Sequence, residues 1–110
     1  MGLFGFGKKK YVKNVSRNNE FLKEYAIKTN GLIMYAENNE TVLVELNKLK
    51  DDFQYTVASY NSDAKDFEKN IDREFTNLVT ILQQPEWSEE EVLLLIKGLR
   101  RYIVEISSLR

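Results

Sequence analysis

Two pairs of carboxylates, Glu37 with Glu40 and Asp63 with Asp66, stand at i, i+3 spacing and are the residues best placed to do chemistry. On a helix such a spacing puts both side chains on one face. Two such faces opposed across a helical interior can hold a magnesium ion against the phosphates of a nucleotide, which would make the chain a magnesium-dependent all-α nucleotide hydrolase. That chemistry also needs cations to receive the phosphates, and no lysine or arginine constellation stands beside either pair. Glu37 and Glu40 moreover bracket two asparagines in a stretch that reads as a turn. Solvated helix ends and caps account for all four carboxylates more simply, because charged residues at helix termini are the rule. The reading is therefore non-catalytic, with no cofactor, and with Glu37, Glu40, Asp63 and Asp66 as the sole metal-ligand candidates.

Composition narrows the chemistry further. The chain has no histidine and no cysteine, so the commonest general base, the commonest zinc ligand, thiolate chemistry and disulfides are all missing. At 110 residues, 43% hydrophobic and 30% charged, it has the make-up of one globular domain able to bury a core without metals or crosslinks. No apolar run exceeds five residues, far short of the roughly 20 that a membrane span requires. Leu3 to Phe6 is too short for a secretory h-region, and lysines follow it. These observations predict a cytoplasmic protein.

The net charge of −1 hides a division. Residues 1–17 carry Lys8, Lys9, Lys10, Lys13 and Arg17 without an acid, and the rest of the chain carries all 17 acids. Residues 1–15 combine three glycines with the lysine run and show no consistent period, so they read as a flexible basic arm ahead of a helical domain at 16–110. Leu3, Phe4 and Phe6 can enter a lipid interface while Lys8, Lys9 and Lys10 hold the arm to anionic headgroups, each lysine contributing about 1 kcal/mol. That would be weak, reversible contact at the inner membrane face. Nucleic acid is the poorer partner, because the remaining body is acidic.

Positioning these groups falls to helices. From Val42 to Leu82 an apolar or small residue recurs every three or four positions: Val42, Leu46, Leu49, Phe53, Val57, Tyr60, Ala64, Phe67, Ile71, Phe75, Leu78, Leu82. The spacing is close to the helical repeat of about 3.6 and far from the strand repeat of two. An earlier stripe, Phe21, Leu22, Tyr25, Ala26, Thr29, Leu32, Ile33 and Ala36, predicts a first helix at 17–36, with Gly31 as the place for a kink. The polar cluster Glu37-Asn38-Asn39-Glu40 predicts a turn whose asparagine caps the next helix. Gln84-Pro85 ends the long stripe, and Ser88-Glu89-Glu90-Glu91 has the spacing of a capping box, with Trp87 placed to staple onto Val92. A final helix follows at 89–109.

The fold expected is all-α: an antiparallel bundle of three helices whose long central helix spans 40–83, or of four helices if that centre breaks near Asn61. Neither glycine nor proline marks a loop between Ser59 and Asp63, and the apolar phase runs through it, which favours the continuous spine. Such a spine would be about 60 Å long, twice the length of either flanking helix, so part of its stripe would need a partner. The function expected is a helical protein–protein interaction or scaffold module that self-associates, a homo-oligomer. Its interface falls on Val92, Leu93, Leu94, Ile96, Leu99 and Ile103 of the wide apolar face of the last helix, together with Phe53, Tyr60 and Phe67 of the spine.

Overall fold

The computed structural model describes residues 20–56 and 64–108. Helix α1 occupies 20–32 and tightens into a 3-10 turn at Ile33–Ala36. Helix α2 runs Glu40–Tyr55, α3 Ala64–Leu82 and α4 Glu89–Ser108. Among the described residues every regular element is helical, as the periodicity predicts. The arm at 1–15, the expected first turn of α1, and residues 57–63 lie outside the described residues.

Each helix exists because one stripe of it is apolar. In α2, Val42, Leu46, Leu49 and Phe53 are all buried; in α3, Ile71, Phe75, Leu78 and Leu82; in α4, Val92, Ile96, Leu99, Ile103 and Ile106. The start of α2 is fixed by the Asn39 side chain, whose Oδ1 accepts from the Val42 N–H at 3.1 Å, satisfying a first-turn amide that has no partner within the helix. Ser88 does the same for α4, its Oγ accepting from the Glu91 N–H at 3.4 Å. Three glutamates in that first turn face the positive end of the helix dipole. Trp87 packs against the same core to which Val92 belongs.

The long stripe does not form one helix. α2 stops at Tyr55, and Thr56 is extended, with ψ of 130°. The continuous three-helix spine is therefore replaced by four helices. Burial supplies the physical reason. In one straight helix Phe53 and Phe75 would lie about 33 Å apart, each with half of its surroundings open to water. With the chain folded back, their ring centroids are 6.3 Å apart and both are buried. The β-branched pair Thr56-Val57 makes the break inexpensive at that point.

Side-chain contacts give the arrangement. Phe67 near the start of α3 lies 6.4 Å from Tyr102 near the end of α4, so these two helices run in opposite directions. α4 also packs along α2. α1 closes the circle: Tyr25 touches Phe53 of α2 at 5.5 Å and Phe75 of α3 at 4.9 Å. Around the core the order is thus α1, α2, α4, α3, which places the α1–α2 face opposite the α3–α4 face.

Gly31 lies within α1, which tightens two residues later, and neither Gly31 nor Gly98 has positive φ. Gly31 is exposed, and a Cβ built on it meets nothing within 4 Å; the same space surrounds Gly98 in α4. Gly31→Ala and Gly98→Ala are each expected to raise stability by about 0.5–1 kcal/mol, since alanine loses less backbone entropy in a helix. Urea denaturation should show this as a higher midpoint with an unchanged slope.

Candidate functional site

The sequence-derived interface residues divide sharply. Phe53, Val92, Ile96, Leu99 and Ile103 are at most 1% exposed. Their side chains are taken up by the core of this same chain, so they have no area left to cover a second subunit. Leu93 and Phe67 are half-buried against that core. Among the described members of the set Leu94 alone faces outward, 70% exposed. Tyr60 lies outside the described residues, as do Leu3, Phe4, Phe6, Lys8, Lys9 and Lys10.

Glu37, Glu40 and Asp66 are exposed at helix ends, and Asp63 lies outside the described residues. No three carboxylates among the described residues come together as a metal cage. The structure therefore gathers ionisable groups at two other places, both of which tie helices together.

The first is Tyr25, almost wholly buried on α1 between Phe21, Phe53 and Phe75. Its hydroxyl donates a hydrogen bond to Asp72 Oδ1 on α3, and Lys28 Nζ lies 4.7 Å from the ring centroid. Burial, then the bond to Asp72, pushes the phenol well above its ordinary value of 10.0, because both favour the neutral, donating form. A phenol held this way is a poor base and a poor nucleophile near neutrality; it serves as a donor linking α1 to α3. One turn on, the buried Thr29 hydroxyl donates to the Tyr25 carbonyl at 2.6 Å.

The second place is Arg100 on α4. Its Nε donates to Asp52 Oδ2 at 2.6 Å and its NH1 lies 3.7 Å from Glu45, both on α2. The hydrogen bond to Asp52 raises the guanidinium further above its already high value, so Arg100 stays charged and ties α2 to α4. No buried side-chain nitrogen or oxygen among the described residues lacks a hydrogen-bond partner.

Two surface grooves lie among the described residues. One, about 430 Å³, runs between α1 and α2 and is lined by Lys23, Ala26, Ile27, Asn30, Lys50 and Gln54. The other, about 380 Å³, lies between α3 and α4 and is lined by Asn77, Thr80, Ile81, Glu91, Leu94 and Leu95. Each carries an outward-facing aliphatic side chain, Ile27 at 74% exposure in the first and Leu94 in the second. Ile27 escapes the sequence reading because it lies off the buried stripe of α1, and an isolated exposed aliphatic has no periodic signal.

No described helix is long and apolar enough to cross a membrane. No known protein family, curated protein or solved structure matches the chain.

The Tyr25 contact carries a pH prediction. Below pH about 10 the phenol is protonated in both folded and unfolded chains and stability does not depend on it. Above that, the unfolded chain releases the proton while the folded chain keeps it, so stability falls with rising pH by up to roughly 1.4 kcal/mol per pH unit. Tyr25→Phe should remove this component of the alkaline slope and lower stability near neutrality by about 0.5–1.5 kcal/mol, the usual net contribution of one hydrogen bond. Urea melts of both proteins between pH 7 and 11 test it; parallel slopes would refute the assignment.

Proposed function

We propose that this protein is a non-catalytic helical interaction module, an antiparallel bundle that acts by presenting its outer helix faces and that self-associates. The observation that carries the reading is the pair of large aliphatic side chains, Ile27 and Leu94, standing 74% and 70% exposed in surface grooves, where contact with another apolar surface would remove them from water. The perturbed ionisable groups fit this role: Tyr25 and Arg100 each bridge two helices, a structural use of charge and hydrogen bonding. Sedimentation velocity on the full chain over a concentration series is the test. Mass increasing with concentration is expected; a monomer throughout would remove the self-association.

A second reading, peripheral contact with an anionic membrane, is supported by the order of residues Leu3, Phe4, Phe6, Lys8, Lys9 and Lys10, apolar then basic. Flotation with phosphatidylserine vesicles, comparing the full chain with one carrying Lys8, Lys9 and Lys10 changed to glutamine, tests it. Equal flotation of the two would eliminate the tether.

A further inference from the structure

Both grooves are incomplete in complementary ways. The α1–α2 groove has a cationic rim: Lys23 and Lys50 line it with no acid among its lining residues, and neither lysine has an ion-pair partner among the described residues. Its apolar lining is Ala26 and Ile27. At the α3–α4 groove the balance is reversed. Glu91 lines that groove and Glu90 is exposed one residue before it, both in the first turn of α4, just ahead of Leu94. Neither glutamate has an ion-pair partner among the described residues. An aliphatic knob with two carboxylates one turn before it thus stands on one face of the molecule, and an aliphatic groove with two free ammonium groups on the opposite face.

We propose that copies of this chain dock head to tail, the Glu90-Glu91-Leu94 edge of α4 in one copy seated in the α1–α2 groove of the next, with the carboxylates meeting Lys23 and Lys50. The inference rests on the self-association reading above and names its surfaces. Opposite charge at the two grooves of one molecule selects a second copy as the occupant, because each copy supplies what the other's groove lacks. The two faces lie on opposite sides of the core, so a docked pair still has one groove and one knob free. The contact is heterologous, and association continues into open chains instead of stopping at a closed dimer. Leu94 would settle against Ala26 and Ile27, removing both exposed aliphatics from water.

Charge reversal on each side tests this with surface substitutions only. In low salt, K23E/K50E and E90K/E91K should each weaken self-association about tenfold or more, since like charges then oppose each other across the contact. An equimolar mixture should restore it, as every contact in the mixture again pairs opposite charges. Restoration also shows that both variants are folded, and circular dichroism of each alone checks the same point. Wild-type self-association that survives both reversals would overturn the head-to-tail contact while leaving self-association standing. Loss in E90K/E91K without loss in K23E/K50E would give the acidic edge to the basic residues 8–17 and likewise overturn it. A wild type that stays monomeric at every concentration would remove both proposals.

Discussion

Phe53→Ala is expected to lower folding stability by about 3–5 kcal/mol, the range for deleting a fully buried aromatic ring. Phe53 is completely buried at the point where three helices meet, with Tyr25 of α1 on one side and Phe75 of α3 on the other. Truncation removes apolar area and also leaves a void that Tyr25 can fill only by giving up its bond to Asp72. Since domains of this size are marginally stable, much of the variant should be unfolded at moderate temperature. The measurement is the urea midpoint by far-ultraviolet circular dichroism. A double-mutant cycle with Phe75→Ala sharpens it. Rings packed edge to face should show a coupling of about 0.5–1.5 kcal/mol, whereas in a continuous spine the two positions would be some 33 Å apart and strictly additive. Additivity would argue that α2 and α3 do not fold back on each other.

That experiment bears on the one element the sequence misdirects. Burial follows the helical period closely, so Val42, Leu46, Leu49 and Phe53, then Ile71, Phe75, Leu78 and Leu82, were legible as a stripe, and all eight are buried. The ends at Asn39 and Ser88 were legible too, because a cap is a local device: a side chain and an amide three residues on. Continuity was not local. The choice between one long helix and two shorter ones depends on what Phe53 can meet after the chain turns, and nothing near Thr56 records Phe75. Even the preserved phase across the break misleads, since both α2 and α3 turn a stripe of the same spacing toward one common core. The same limit hides the Tyr25–Asp72 and Arg100–Asp52 contacts, each joining residues more than 40 positions apart.

The width of the α4 face raises a related question, which Leu99 and Leu94 answer together. Five consecutive apolar residues, Val92 to Ile96, leave the sequence no means of telling the core-facing ones from the outward-facing ones, and at 3.6 residues per turn they cannot all face one way. The structure sends Val92 and Ile96 inward with Leu99, half-covers Leu93 and Leu95, and turns Leu94 outward. Leu99→Ala should therefore cost about 2–5 kcal/mol, because the side chain is wholly buried on a helix packed against both α2 and α3, and its neighbours relax only partly into the lost volume. Leu94→Ala should change stability by no more than about 0.5 kcal/mol, as at other exposed positions. Thermal melts of both variants at low protein concentration, where association does not contribute to stability, distinguish the two faces. Equal losses would mean that α4 is rotated about its axis relative to this structure and that Leu94 belongs to the core. A stable Leu94→Ala with weakened self-association would separate the two roles of the helix, one stripe holding the fold and the adjacent edge left for a neighbour.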